Sequence, residues 1–187
     1  MARGLTSAVK TALAASPSFC HLVYIGFATP VRKTDNSFTL TSSVEGSSQS
    51  YNADGILLGI GHVPEANTPI KNSIDLIFSG VDQSLISTVL SNDVLGVDIK
   101  VWRGVINSSG ALVADPFLLF HGSLADFAID DTGSSATLGI TATNHFGNFE
   151  KINGRTTSDT SQQRHFSGDK GLEFSALTVR DIKWGRA

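Results

Sequence analysis

The side chains of this sequence that most readily do chemistry belong to one cysteine and five histidines: Cys20, His21, His62, His121, His145 and His165. No two of the histidines have the i, i+4 spacing that places metal ligands on one helix face, and none belongs to an HExxH pattern. A single thiol can form neither an internal disulfide nor a thiolate metal cluster. We therefore expect histidines that pack in strands and loops, a buried Cys20, and no metal or other cofactor.

The acid most suggestive of catalysis is Asp131, which begins the run Asp131-Thr132-Gly133-Ser134-Ser135. The run resembles the catalytic loop of aspartic proteases, in which two carboxylates share one proton, so a chain with one copy would have to dimerise. Asp130 stands where that loop has an apolar residue, and its charge would hinder proton sharing. Asp-Asp-Thr-Gly also favours a turn. We expect Asp131 at an exposed hairpin tip, and a dimeric aspartic-protease-like enzyme is the alternative.

Composition argues against two classes of partner. The 187 residues carry a net charge of −3, and no run of five or more like charges occurs, so direct contact with nucleic acid is not expected. The apolar stretches are far shorter than the ~20 residues of a membrane-spanning helix, and membrane insertion is not expected either. Only 17% of residues are charged, which suits short strands and turns, or a surface covered by other subunits.

Apolar periodicity predicts the elements that hold these residues. A 3.6-residue period over Ala2–Ala15, stopped by Ser16-Pro17, predicts a short amphipathic helix, and Asp82–Gly96 predicts a second one. The polar run Thr41–Ser50 predicts a mobile loop. β-branched and aromatic residues, often alternating with polar ones, predict eight strands: Phe19–Ile25, Val31–Leu40, Ile56–Val63, Ile70–Val81, Val97–Trp102, Phe117–His121, Leu124–Ile129 and Ala136–Thr143.

These strands predict a mainly β protein. They fall into two groups, 19–81 and 97–143, on either side of the internal helix, so one barrel with long arms and two small tandem barrels are both compatible with the pattern. We expect an N-terminal helix in residues 1–18, a β-barrel domain in 19–153, and a C-terminal loop and extended arm in 154–187.

The C-terminal stretch Gly154–Trp184 is the most distinctive part of the sequence. Arg155–His165 contains no aliphatic or aromatic residue, so this run cannot contribute to a core. Ordering its backbone would cost about 1–2 kcal/mol per residue, and we expect it to order only on contact with a neighbouring subunit. The large apolar side chain of Trp184 should be buried in its own barrel or in a neighbour.

The residues of this stretch also follow a recognisable order. A Gln-Gln pair precedes an aromatic residue, then come Gly-Asp-Lys-Gly, a second aromatic residue and Trp-Gly. This order resembles a family of tailed-phage baseplate hub and minor tail proteins, related to the hub of gene transfer agents and to the lambda-type tail-tip minor tail protein. Upstream segments also occur in the order of that family: Thr29–Arg32, Tyr51–Ile56, Leu76–Asp82, Val101–Gly104 and Leu119–Gly122.

The resemblance implies a non-enzymatic structural protein of the virion. It implies tail-tube- or hub-like β-barrels, a location at the tail tip or baseplate, and contact with the distal tail, the tail tube and tail-tip proteins. It also implies assembly with copies of itself, with a trimer favoured and a hexamer as the alternative. A carbohydrate-binding or adhesion β-module is a further alternative. Polar and aromatic residues of the C-terminal stretch are expected to form the subunit interface: Gln162, Gln163, Phe166, Gly168, Asp169, Lys170, Phe174 and Trp184.

Overall fold

A computed structural model describes most of the chain, namely residues 6–15, 17–63, 68–80, 83–91, 94–133, 135–150 and 156–175. Contacts divide the chain into two compact units, Met1–Glu150 and Lys151–Ala187.

The first unit contains nine described strands and two α-helices. The strands are β1 (Ser18–Ile25), β2 (Val31–Thr34), β3 (Leu40–Ser42), β4 (Gln49–Tyr51), β5 (Leu57–Ile60), β6 (Ser73–Ser79), β7 (Asp98–Ile106), β8 (Phe117–Asp131) and β9 (Ala136–Asn144). The helices are α1 (Ser7–Ala14) and α2 (Gln83–Ser91), and a 3-10 helix spans His145–Glu150. None of the helices in the described ranges combines the length and hydropathy needed to cross a bilayer.

Seven of the strands form one antiparallel, nearly closed, barrel-like sheet in the order β2-β1-β7-β8-β9-β6-β5. The prediction of a mainly β fold is thereby confirmed. The two strand groups of the sequence are joined directly, because β1 pairs with β7 and β6 pairs with β9. These seven strands therefore build one barrel-like sheet rather than two in tandem, and β3 and β4 form a separate two-stranded sheet. The long-range pairs satisfy strand edges that each of two tandem barrels would have to close by itself.

The main core lies on one face of this sheet. In β6 the buried residues Ile74, Leu76 and Phe78 alternate with exposed neighbours, as the period-2 pattern predicts. Ile99 and Val101 of β7 belong to the same core. The face that carries them is completed by residues of β1, β8 and β9 and by α2: Val23, Ile25, Leu124, Leu138, Ile140, Leu85 and Val89.

A second apolar cluster lies on the opposite face of β1 and β7. Cys20 and Leu22 pack there with Trp102, and the hairpin β3–β4 covers them with Leu40 and Tyr51. The run Thr41–Ser50, expected to be a mobile loop, instead contributes to β3, β4 and the turn between them, because an apolar residue at each end, Leu40 and Tyr51, docks the hairpin. The rings of Tyr51 and Trp102 meet edge to face, with centroids 6.1 Å apart.

Strand β8 is continuous where two strands were expected. Gly122 does not turn the chain but pairs with Ile99 on one side and Asn144 on the other. A Cβ atom at this position would stand 2.1 Å from the carbonyl oxygen of Thr143. Glycine is therefore needed because the neighbouring backbone approaches closely, and not because a turn requires it.

The two helices of the first unit bury different residues: α1 buries Val9, and α2 buries Leu85 and Val89. Thr6 caps α1 by accepting a hydrogen bond from the backbone of Val9, and Val9 is the helix's buried residue. Leu13 of the same helix remains 36% exposed. Helix α2 buries Leu85 and Val89 in the main core, whereas Leu90 stays exposed.

The second unit contains the helix α3 (Asp159–His165) within the run that was expected to lack structure. Ser158 caps the helix by accepting a hydrogen bond from the backbone of Ser161, and Gln163 bonds to Asp159 one turn earlier. Asp159 in the first turn and Arg164 in the last turn also complement the helix dipole. Polar contacts thus supply local order that a search for apolar anchors does not detect.

Candidate functional site

The residues predicted to form a subunit interface are partly brought together in the second unit. The side-chain amide of Gln162 donates a 2.6 Å hydrogen bond to Oδ2 of Asp169, and the backbone of Gly171 donates to Oδ1. These hydrogen bonds hold the pKa of the Asp169 carboxyl below its ordinary value. Gly168 supplies the intervening turn with a φ of +80°.

The aromatic members of the predicted set are exposed. Phe166 ends α3 and is 57% exposed, and Phe174 is 71% exposed. Gln163 and Lys170 are exposed as well. Trp184 lies outside the described residues. An interface role for this set stays a prediction.

Asp131 lies at the tip of the β8–β9 hairpin, as predicted. It is the last residue of β8, pairs with Ala136, and is exposed. Its Oδ1 atom accepts a 2.8 Å hydrogen bond from the backbone of Gly133, whose φ is +79°. The carboxylate therefore stabilises the turn of its own hairpin.

Three residues far apart in sequence meet at one end of the sheet, and the sequence patterns did not indicate this cluster. Nδ1 of His21 lies 2.7 Å from Oδ2 of Asp35, and Nε of Arg103 donates a 3.1 Å hydrogen bond to Nε2 of His21. Because Nε2 accepts a hydrogen bond from Arg103, the imidazole proton lies on Nδ1 and is donated to Asp35. Burial would raise the pKa of Asp35, but hydrogen bonds from the His21 side chain and backbone outweigh it and keep this pKa low.

This cluster borders a cavity of about 410 Å³. His21 and Arg103 line it together with His62, and Leu119 and Val63 connect its wall to the main core. Asp35 is not among the described residues that line the cavity. The described wall thus combines apolar surface with basic side chains.

A second polar network fixes the β3–β4 hairpin to β2. Arg32 donates two hydrogen bonds to the carboxylate of Glu45, of 2.9 Å and 2.7 Å. The hydroxyl of Tyr51 donates to the same carboxylate. The Arg32 guanidinium also lies 5.3 Å from the centre of the Tyr24 ring. Burial raises the pKa of Tyr51, and the neighbouring Glu45 raises it further.

A third network lies on β7 and β8. Asp98 contacts His121 at 2.7 Å and Lys100 at 3.0 Å. Burial would raise the pKa of the Asp98 carboxyl, but the contacts with Lys100 and His121 outweigh this effect and hold the pKa below its ordinary value. His121 and Asp98 also line a smaller cavity of about 190 Å³. In the ranges that the structure describes, no three ligating side chains converge in a way that could hold a metal ion.

The outer surface of the first unit carries several large apolar side chains. Leu58 of β5 is 58% exposed and Ile77 of β6 is 46% exposed. They lie on neighbouring strands, because Ile77 pairs with Gly59. Leu118 of β8, Phe38 and Leu95 are also exposed. Surfaces of this kind are common where protein subunits meet.

The fold and these networks define a barrel-like β-domain braced by ion pairs. Its fold is similar to that of a chain in a solved structure of the virion of a native gene transfer agent particle, with a TM-score of 0.63 and 13% sequence identity. The alignment covers 82% of this chain and 49% of that chain, so this chain spans about half the length of its structural neighbour. No family model and no curated protein sequence matches the chain. At this identity the similarity concerns the fold.

Proposed function

We propose that this chain is a non-enzymatic structural protein of a virion, a hub subunit at the tail tip or baseplate of a phage-like tail. The observation that carries the proposal is the shared fold with a gene transfer agent virion chain over 82% of this sequence. The order of Gln162-Gln163, Phe166, Gly168–Gly171 and Phe174 supports it independently, because that order resembles the sequences of baseplate hub and minor tail proteins.

The His21–Asp35 pair of the first unit supports a structural role. In a catalytic pair, the second imidazole nitrogen faces a substrate. Here Nε2 of His21 accepts the hydrogen bond from Arg103 instead. This arrangement braces β1, β7 and the turn that follows β2.

The exposed apolar residues support assembly with other subunits. Leu58 and Ile77 on the first unit, and Phe174 on the second, each leave an apolar surface in water that a subunit contact would cover. We propose contacts with copies of this chain, as a trimer or alternatively a hexamer, and with tail-tube, distal-tail and tail-tip proteins. The work of such a subunit is geometric, because a closed ring with a fixed number of copies can join a tube to a tip of different symmetry.

Location in the particle is the direct test. Antibodies raised against the purified chain should label one end of the tail in electron micrographs of intact particles, and antibodies against the capsid should label the head. Particles made without the chain should lack a complete tail tip. Labelling of the head, or complete tails in the absence of the chain, would contradict the proposal.

Oligomeric state provides a second test. Light scattering of the purified chain, at concentrations up to those at which tail proteins assemble, should give the mass of a trimer or a hexamer. A glycan array probed with the same sample should show no specific signal. A specific glycan signal from a monomer would favour the carbohydrate-binding alternative.

A further inference from the structure

We infer that the cavity at the His21 end of the sheet is a binding site for a carboxylate carried on an apolar body. The inference concerns this chain alone and does not depend on the proposed function. The volume of the cavity, about 410 Å³, lies in the range of ligand pockets, about 300–1,000 Å³. The site is built by β1, β5, β7 and β8 and by the residues that follow β5.

Arg103 is the central residue of this site because no carboxylate of the described residues forms an ion pair with it. The other strand cations of the sheet each contact a carboxylate: Arg32 contacts Glu45, Lys33 contacts Asp54, and Lys100 contacts Asp98. In the part of the chain that the structure describes, Arg103 makes its hydrogen bond to the imidazole of His21 instead. The bond uses Nε, so both Nη groups remain as donors for a ligand.

The position of Arg103 is fixed before any ligand binds. His21 holds its Nε atom, and the ring of Phe19 lies 5.8 Å from the guanidinium carbon. His21 is itself held by Asp35, whose carboxylate accepts hydrogen bonds from both the ring and the backbone of His21. Asp35 is not among the described residues that line the cavity. A guanidinium held in this way loses little conformational entropy when it binds a planar anion.

The remaining described wall explains why the ligand should have an apolar body. Ile60, Val63 and Leu119 line the cavity and pack against the main core. His62 lies at the exposed rim of the cavity, where a nitrogen of its ring can serve as an additional donor, beside Arg103, to an anion. None of the described residues that line the cavity is acidic, although the net charge of the chain is −3. A free small acid and the carboxyl terminus or acidic side chain of a protein share the required chemistry.

Nuclear magnetic resonance titration of the full chain tests the site with 4-methylpentanoate as the probe. We expect saturable shifts at the Arg103 Nε–H, at the His62 ring and at the methyl groups of Leu119 and Ile60. Acetate lacks the apolar body and 4-methylpentan-1-ol lacks the charge, so each should bind at least about tenfold more weakly. Equal binding of the alcohol, or shifts that never saturate, would overturn the inference.

Substitutions separate the charge from the cavity. R103Q should weaken binding at least about tenfold and R103K should weaken it less, because lysine keeps the charge but not the fork of donors. R164Q, which removes an exposed arginine from the second unit, should bind as the unchanged chain does. Retained methyl signals of Leu138 and Ile140 would show that R103Q is folded. Wild-type affinity in a folded R103Q would overturn the inference.

Two further binding experiments identify the source of the carboxylate. Stronger binding of N-acetyl-leucyl-leucine than of 4-methylpentanoate, lost in its C-terminal amide, would assign the site to a protein chain, and the reverse order would assign it to a free acid. Glu65 follows Val63 by two positions and lies outside the described residues. E65Q should therefore bind the probe unchanged. A tenfold gain in affinity would show that the chain's own carboxylate fills the cavity, and would overturn the inference.

Discussion

The hydroxyl of Tyr51 donates a 2.5 Å hydrogen bond to Oε1 of Glu45, and the tyrosine is completely buried. Removing the hydroxyl leaves the carboxylate with one donor fewer in a partly buried place. We expect Tyr51→Phe to lower the free energy of unfolding by about 1–2 kcal/mol, as measured by urea denaturation. Tyr24→Phe is the matched control, because the described contacts of Tyr24 are made by its ring. Equal losses in both variants would argue against a special role for the Tyr51 bond.

Acid should weaken the same network. Burial alone would raise the pKa of Glu45, but hydrogen bonds from Arg32 and Tyr51 outweigh it, and the pKa lies below its ordinary value. A carboxyl group with a lowered pKa stabilises the folded state above its unfolded-state pKa, about 4.3. That stabilisation is lost as the pH falls through the folded-state pKa.

We therefore expect Glu45→Gln to be less stable than the unchanged chain at pH 7, with a difference that shrinks below about pH 4. Urea denaturation over a pH series measures this difference. Glu173→Gln, in the second unit, is the control and should leave the pH series unchanged. A difference that stays constant down to pH 2 would contradict the prediction, because it would have to arise from packing rather than charge.

Gly122 should be intolerant of any side chain. A methyl group there would overlap the carbonyl of Thr143, so the β8–β9 pairing would have to shift. We expect Gly122→Ala to lower the free energy of unfolding by about 1–3 kcal/mol. Gly59→Ala, on β5, is the control because nothing stands within 4 Å of a Cβ atom there and its φ is not positive. Similar stability of the two variants would show that the sheet adjusts at Gly122.

The aromatic residues of the second unit should matter to assembly more than to folding. We expect Phe174→Ala to lower the stability of the oligomer by about 2 kcal/mol or more if the ring anchors an interface, and Phe166→Ala and Trp184→Ala to act in the same direction. Light scattering over a dilution series measures oligomer stability, and thermal unfolding measures folding. Phe38→Ala removes a 66% exposed ring from the first unit and is the control. Normal assembly of the Phe174 variant would remove this residue from the interface.

Cys20 should be unreactive while the chain is folded. The residue is fully buried, and burial, assisted by the charge of Asp35, raises its pKa to about 11. The thiolate is the reactive form, so little of it is present at neutral pH. We expect a disulfide reagent to modify Cys20 only after urea unfolds the chain. Rapid modification in native buffer would show that the β3–β4 hairpin opens frequently.

Residue patterns predicted the strands with the clearest alternation. Ile74, Leu76 and Phe78 in β6, and Ile99 and Val101 in β7, carry a period of two, because every second side chain of a strand points to the same face of the sheet. The β3–β4 hairpin was not predicted, because most of its residues are polar and its docking depends on Leu22 and Trp102, which lie elsewhere in the chain. Tertiary contacts decide the structure of such a segment.

The polar clusters could not be predicted for a related reason. His21, Asp35 and Arg103 are separated by spacings that belong to no motif. The register of β1 on β7 places His21 opposite Arg103, and the pairing of β1 with β2, which ends at Thr34, brings Asp35 beside His21. The hairpin position of Asp131 was predictable, because turn residues and the flanking alternation are both local. Local chemistry is thus visible in one sequence, and chemistry assembled by strand register is not.

The order of strands in the sheet also constrains how the chain can fold during synthesis. The partners of β1 on β7 lie 74 to 88 residues further along the sequence. At a translation rate of about 5–20 residues per second, β1 leaves the ribosome roughly 4–18 s before its long partner does. During that interval Leu22, Val23 and Ile25 have no finished sheet to enter. The nascent chain therefore depends on β2 as an early local partner of β1. Folding should be slowed by two pairings between strands far apart in sequence, β1 with β7 and β6 with β9.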